Sequence, residues 1–488
     1  MTGLAAFREK WRGRDTGVSF AADLRSVLQE RNFRRLFATR LISQTGDGAF
    51  SAGVGAYVFF NKGTFPDPAA AAAAFAVLYL PYSLIGPFAG VFIDRWSRRQ
   101  ILVWSAFIRA VFVAVTASLV ASGSLGLPLY VSVLAVLGVN RFFLSSLSAA
   151  LPHVVAEDKL VMANAVSPTT GTVVGFLGGI AGLGVHFVTG GGRGGSAATL
   201  LAAGACYLLA GAVGVTMRRD LLGPPPTTGD ARRPGLLAEL SIVASGLISG
   251  ARHVWHRRPV ATALGATGAN RFMYGILLLM SILLYRNYFY VTASANTSLK
   301  HFTLVVIAAA AGYGAAAVVT PVATRRLAKP TWIAILLAAG GVITGLLGPT
   351  FSQVPFVVIA FALGIVAQGV AICATTIIQE SVEDSYRGRV FALYDLLFNV
   401  PFVVGAAGAS LIMPRSGLSY PLIAVVAAGY VAAAAAYSLL QRQSAGGPSG
   451  SGPSSPAGPS AASPSADPPS AGPPSAAAPS AAAQRNSS

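Results

Sequence analysis

Gly86-Pro-Phe-Ala-Gly90-Val-Phe-Ile-Asp94-Arg95-Trp-Ser-Arg98-Arg99 closes an apolar run and sets one acid and three arginines in a gap too short for a domain. An acid at the C-terminal end of its own helix meets the negative pole of the helix dipole. Asp94 therefore needs a cation, or the N-terminus of another helix, beside it. Gly86 and Gly90 stand four apart on one helical face, where the missing side chains let a neighbouring helix come close. The stretch reads as a latch between packed membrane helices.

The rest of the chain fits that reading. Its 488 residues are 54% hydrophobic and 11% charged, with a mean hydropathy of +0.62, whereas soluble domains carry about 25% charged residues. Spans of the roughly 20 apolar residues that cross a bilayer recur at 36–60, 70–93, 100–122, 127–150, 161–188 and 196–217. They recur again at 259–284, 302–323, 331–350, 354–379, 389–413 and 419–440. The expected class is an all-α polytopic membrane protein with twelve transmembrane helices. Residues 1–35 are polar and basic and lack the apolar core of a cleavable signal peptide.

The net charge of +18 invites a nucleic-acid reading, and its placement removes it. With the N-terminus in the cytoplasm, outward loops hold only Lys62, Arg193, Arg286, Lys300 and Arg415. Arg40, Arg109, Arg141 and Arg271 fall inside spans, and the remaining basic residues lie in inward segments. That asymmetry follows the positive-inside rule. It sets a plasma or inner membrane topology with both termini cytoplasmic, membrane lipid as a partner and no nucleic acid. Cys206 and Cys373 lie within spans as small apolar residues.

Five segments follow: a cytoplasmic stretch 1–35, a six-helix bundle 36–217, a linker 218–258, a second six-helix bundle 259–440, and a tail 441–488. The linker ends in an alternating apolar and polar stretch, 236–256, that suits a helix lying in the membrane interface. The tail is nearly all Ser, Pro, Ala and Gly, a composition that builds no packed core. The two bundles look like copies. Residues 35–47 lay over residues 258–270 without a gap, placing Asp47 opposite Asn270. The latch has an echo at 320–326, where Thr324 stands in the place of Asp94.

The pattern Gly-x-x-x-Gly-x-x-x-Asp-Arg-x-x-Arg-Arg resembles the loop 2–3 signature of the major facilitator superfamily, over about residues 30–440. The resemblance implies two six-helix pseudo-repeats around a central cavity, working by alternating access. Asp384-Ser-Tyr-Arg387-Gly-Arg389 resembles the loop 10–11 sequence of the twelve-helix drug-exporter branch, which includes enterobactin-exporter-like proteins. In that fold the loop faces the latch, so Asp94, Arg95, Arg98 and Arg99 are expected to engage the start of span 11 near Arg387 and Arg389. Arg141, in Asn140-Arg-Phe-Phe, resembles the buried span 4 arginine linked to proton coupling. Gly171-x-x-x-Gly175-Phe-x-x-Gly179 resembles the span 5 signature of proton-driven antiporters with Phe176 in place of proline. Close helix packing by Gly171, Gly175 and Gly179 survives that change.

Charges at bilayer depth are costly and mark function by default. The acids that qualify are Asp47 and Asp395. Asp47 lies about 11 residues into span 1, roughly 16 Å at 1.5 Å per residue, near the midplane. It is either a proton site or half of a permanent ion pair with Arg109 or Arg141, and Arg141 is the expected partner. The proton-coupling set is thus Asp47, Arg141, Arg109 and Asp395. Gln44, Asn270, Arg271, Gln368 and Asn399 are polar groups at depth expected to line the cavity. None of the five lysines follows a glycine, so no phosphate-binding loop is present. No nucleophile–base set or metal cluster is recognisable. The expectation is a monomeric, non-enzymatic transporter without cofactor, driven by a proton gradient and exporting an amphipathic small molecule. A nutrient importer, a siderophore or lipid exporter and a membrane sensor are the alternatives.

Overall fold

A chain that buries its backbone in lipid must satisfy every N–H and C=O internally, and long helices do so. The computed structural model describes residues 25–61, 68–79, 97–156, 159–218, 221–222, 236–290, 292 and 294–445. Every long element among them is helical. The first half gives α1 (Arg31–Phe60), α2 (Pro68–Tyr79), α3 (Arg98–Ala121), α4 (Leu127–Ala150), α5 (Leu160–Val188) and α6 (Gly192–Val215). Helix α7 (Leu236–His256) follows. The second half gives α8 (Arg258–Asn287), α9 (Ala295–Thr324), α10 (Lys329–Leu347), α11 (Gln353–Ser381), α12 (Asp384–Ser410) and α13 (Tyr420–Ala445). Ten of these are long and apolar enough to cross a membrane. Helix α1 is as long, at 30 residues, but carries Arg40, Gln44 and Asp47.

Gly86, Gly90, Asp94 and Arg95, residues 1–24, most of the linker before α7, and the tail beyond Ala445 lie outside the described residues.

The halves repeat one packing plan. Helix α1 packs on α5 and α6 as α8 packs on α12 and α13, and α3 packs on α6 as α10 packs on α13. Matching bonds recur: the Tyr57 hydroxyl donates to the Ser124 carbonyl at 3.1 Å, and the Tyr285 hydroxyl to the Gln353 carbonyl at 3.2 Å. One end of the bundle, here called the basic face, carries the arginines at the starts of α1, α3, α8 and α12. The opposite, sparse face carries Arg193, Arg286, Lys300 and Arg415 among the described residues.

Three elements begin or end beyond the spans read from sequence. Helix α9 starts at Ala295 because Ser294 caps it, its hydroxyl accepting from the Thr297 N–H at 3.2 Å. Lys300 is therefore helical. Helix α8 runs on to Asn287, which makes Arg286 part of its last turn. Helix α12 starts at Asp384, so Arg387 and Arg389 lie in its first turns.

Helix α7 docks on the first turns of α12. The His253 ring stacks on Tyr386 at 4.3 Å and 5°, and Arg389 donates to the Ser249 hydroxyl at 3.2 Å. Beside it, Arg257 donates to Glu383 at 2.6 Å and to the Ser381 carbonyl. Trp255, at the end of α7, is 83% exposed.

Glycine sets the distance between α1 and α5. A Cβ on Gly48 would lie 1.9 Å from the Gly175 carbonyl oxygen, and one on Gly178 would lie 2.3 Å from that of Thr45. A Cβ on Gly171 would collide with the Gln44 side chain at 1.6 Å. Gly175 and Gly179 differ from the sequence expectation: a Cβ there would stand 3.7 and 3.6 Å from its nearest neighbour, an ordinary contact. They present backbone to Gly48, so the residue that must lack a side chain is on α1. The second half repeats the device, with a Gly275 Cβ 2.1 Å from the Phe402 carbonyl oxygen and a Gly405 Cβ 2.2 Å from that of Phe272. Gly48→Ala is expected to overpack this seam at a cost of about 1–3 kcal/mol. It should lower the thermal midpoint of the purified protein and its monodisperse yield on size exclusion. Gly179→Ala should leave both near wild type.

Candidate functional site

A guanidinium inside a lipid-embedded bundle must find acceptors for its donors or be expelled. Arg109, in the middle of α3, has no exposed surface. It donates to the Asp47 carboxylate at 3.1 Å, the Asn140 side-chain oxygen at 2.7 Å, the Ser43 hydroxyl at 2.9 Å and the Ser105 carbonyl at 3.3 Å. Its flat faces lie between the rings of Phe143 and Tyr207, at 4.3 and 4.2 Å. Contacts of that length to both ring faces add cation–π attraction. One cation thus ties α1, α3, α4 and α6 together.

Asp47 sits at the edge of this knot. The oxygen that accepts from Arg109 also accepts from the Tyr207 hydroxyl at 2.8 Å. Its side chain is 22% exposed, and the exposed part lines a cavity of about 550 Å³. The cavity wall is mainly apolar, with Phe50, Phe59, Phe75 and Phe176 from the first half and Leu278, Ile282 and Phe302 from the second. Asp47 is the charged group in that wall among the described residues.

The cavity is roofed at the sparse face by contacts between the halves. Arg286, 7% exposed, donates to the carbonyls of Phe59 and Asn61, both at 3.1 Å. Carbonyls at the end of α1 have no partner within the helix, so a cation there satisfies them. Asn296 on α9 accepts from the Gly192 N–H at 2.8 Å and donates to the Gly190 carbonyl at 3.2 Å. Gly191 adopts φ +71° between them, and a Cβ on it would meet the Asn296 amide at 2.2 Å. Phe60 packs on Phe302 at 5.1 Å. Further towards the basic face, Arg141 on α4 meets Asp395 on α12 at 3.6 Å, with side chains 18% and 48% exposed. A pair that open contributes little to stability and is readily broken.

Several residues stand elsewhere than the sequence suggested. Asp47 pairs with Arg109, not Arg141. Successive helical residues point about 100° apart, so Asn140 faces Arg109 while Arg141 turns towards α12. Arg98 and Arg99 stay within their own half: Arg98 donates to the Leu222 carbonyl at 3.4 Å and contacts His153, and Arg99 donates to the Val215 carbonyl at 2.7 Å. They open α3 beside the carbonyl-rich end of α6, which attracts cations. Arg387 caps the carbonyls of Gln379 and Val382.

The expected polar lining is also absent from the cavity wall. Gln44 accepts from Arg40 at 3.1 Å, and the Asn399 amide donates to the Asp395 carbonyl at 2.9 Å. Asn270 accepts from the buried Tyr430 hydroxyl at 3.1 Å. Arg271 lies among Tyr274, Phe398 and Phe402. Gln368 is half-buried on α11 and does not line the cavity. Cys206 and Cys373 are free thiols.

Tyr207, Ser43, Asn140, Arg286 and Asn296 were not picked out from sequence. Tyr207 had a signal there: it follows Asp47 by 160 residues, and Tyr430 follows Asn270 by the same 160. The second half therefore holds a neutral copy of the knot, with Gly340 against Tyr430 in place of an arginine.

Removing Arg109 leaves Asp47 without its cation, so Arg109→Gln is expected to cost about 3–5 kcal/mol. Tyr207→Phe removes one hydrogen bond and should cost about 1 kcal/mol. Thermal unfolding of the detergent-purified variants checks both, and the order should hold.

No protein-family model matches the chain. It is 36% identical over 427 residues to an uncharacterized MFS-type transporter of Mycobacterium tuberculosis and to one of Mycobacterium bovis. Each alignment covers 86% of this chain and 93% of the relative. Among solved structures, the chain is similar to a peptide transporter, POT, with TM-score 0.63 and 13% identity over 84% of this chain and 94% of that one. It is also similar to the nucleoside transporter NupG, with TM-score 0.59 and 14% identity over 84% and 99%.

Proposed function

The chain belongs to the major facilitator superfamily of membrane transporters, and from that premise we propose that it is a proton-coupled exporter of amphipathic small molecules. One observation carries the proposal: Asp47 joins the buried Arg109 knot to the wall of an apolar cavity between the halves. A carboxylate in that position exchanges a proton with whatever reaches the cavity, and its charge state decides how firmly Arg109 holds α1. Helix α1 also ends at the Phe59 and Asn61 carbonyls that Arg286 grips. Loss of the Asp47 charge loosens α1 at one point and the roof at the other. On this reading, proton release and substrate release act through the same helix.

The apolar wall favours the body of an amphipath, because binding there buries non-polar surface with few polar groups to satisfy. Export is favoured by the loop 10–11 likeness around Arg387 and Arg389. With the basic face in the cytoplasm, the roof at the sparse face closes the outer side.

Cells overproducing the protein are expected to exclude a subset of fluorescent amphipathic dyes. Exclusion should vanish with a protonophore and with Asp47→Asn at matched membrane expression. Exclusion that survives Asp47→Asn would remove Asp47 from the coupling path and point to Asp395. Protonophore-resistant exclusion would overturn the energy source.

A further inference from the structure

Arg271 is a buried cation outside the Asp47–Arg109 knot. It lies 13 residues into the 30-residue α8, near mid-span, and is 4% exposed. The other arginines at depth are provided for. Arg109 has Asp47, Arg141 has Asp395, Arg40 has Gln44 and Ser167, and Arg286 has two carbonyls. Arg271 makes one hydrogen bond, from Nε to the Phe398 carbonyl at 2.8 Å. Its two terminal amino groups donate to no protein acceptor among the described residues, yet neither is sealed from open space.

What surrounds it is aromatic. The guanidinium carbon stands 4.1 Å from the Phe398 ring, 4.9 Å from Phe402 and 5.4 Å from Tyr274. Tyr79, Tyr274 and Tyr394 lie within its electrostatic reach. The hydroxyls of Tyr274 and Tyr394 donate no hydrogen bond among the described residues. Ring faces hold a cation in place but leave its amino fork unsatisfied. Neither mid-span acid supplies the missing charge: Asp47 is held by Arg109 in the other bundle, and Asp395, one turn before Phe398, is engaged by Arg141. Residues 80–93, outside the described residues, contain no acid in their sequence.

We infer that Arg271 and the tyrosines around it form a subsite for the oxyanion head of an amphipathic substrate, a carboxylate above all. A guanidinium fork matches two carboxylate oxygens in its own plane, and such charge-assisted pairs gain strength where water is excluded. Tyrosine hydroxyls supply further donors from the sides. The subsite shares a wall with the cavity: Tyr79 and Phe75 line the cavity, and both rings pack on Phe402, at 4.6 and 5.3 Å. A head at Arg271 thus continues into an apolar body along that wall. Because the wall joins α2 of one half to α12 of the other, movement between the halves opens and closes the approach to Arg271. The inference rests on the transport reading and narrows its substrate to organic anions.

The test is equilibrium binding to the purified full chain in nanodiscs, with empty discs subtracted and no gradient present. It compares 1-pyrenebutyrate with its methyl ester, which share one aromatic body and differ in the charge. The carboxylate should bind at least about tenfold tighter than the ester, the scale of one charge-assisted pair. Arg271→Gln should bring the carboxylate down to the affinity of the ester while ester binding stays within about twofold, and Arg271→Lys should fall between. Retained ester binding and a monodisperse elution profile show that the variants are folded. A wild type that binds the two probes equally overturns the inference, and so does a carboxylate preference that survives Arg271→Gln. Since no proton gradient enters the measurement, failure of proton-coupled export leaves this result intact, and the reverse holds too.

Discussion

A guanidinium buried in the middle of a membrane bundle permits few arrangements around it, and Arg109 is that constraint here. It has no exposed surface and takes acceptors from α1, α3 and α4, with rings from α4 and α6 on its faces. Those helices cannot shift far without stranding a charge. The knot therefore holds α1, α3, α4 and α6 as one unit. The one adjustable element in the knot is the Asp47 carboxylate, which alone among its acceptors carries charge and alone borders the cavity. A unit so tied, with a single variable charge at its inner surface, is suited to convert a proton into a change of fit between halves.

The second half shows what the same plan looks like without the charge. Asn270 and Tyr430 repeat Asp47 and Tyr207, Gly340 stands where a cation would be, and close Gly275 and Gly405 contacts repeat those of Gly48 and Gly178. The repeat thus preserves the packing and divides the electrostatics. The carboxylate proposed to take the proton belongs to one half, and Arg271, a buried cation with no carboxylate partner among the described residues, belongs to the other. Between them run a roof made by Arg286 and Asn296 and an open ion pair, Arg141 with Asp395. The Arg286 donors are shielded, whereas the Asn296 bonds and the ion pair are wet, so these contacts differ in what breaks them. Parallel repeats with a site at their interface are the setting in which such contacts alternate.

Much of this was legible in the sequence. Apolar period, the gapless overlay of residues 35–47 on 258–270, and the asymmetry of arginine placement give the helices, the repeat and the choice of Asp47. The partner of Asp47 was not legible, because Arg109 and Arg141 lie at similar depth and only the rotation of α3 and α4 separates them. Glycine roles were legible as a pattern and not as individuals: the spacing in α5 is visible, but which partner must lack a Cβ depends on Gly48 across the seam. Arg286 and Lys300 looked like loop residues because apolar runs stop short of them, while a Ser294 cap and the terminal carbonyls of α1 extend the helices past that point. Of the latch arginines, Arg99 found the nearer carbonyl end of α6 and Arg98 the Leu222 carbonyl beyond it, tertiary choices that no local motif encodes.

The central claim is that the Asp47 carboxyl gains and loses a proton while the rest of the knot stays in place. Infrared difference spectroscopy of the purified protein across a pH step reads that event directly, through the carbonyl stretch of a protonated carboxyl group. The account predicts a carboxyl band that is lost in Asp47→Asn and retained in Asp395→Asn. A band that persists in Asp47→Asn and disappears in Asp395→Asn would contradict it, and so would a wild-type protein with no titrating carboxyl band.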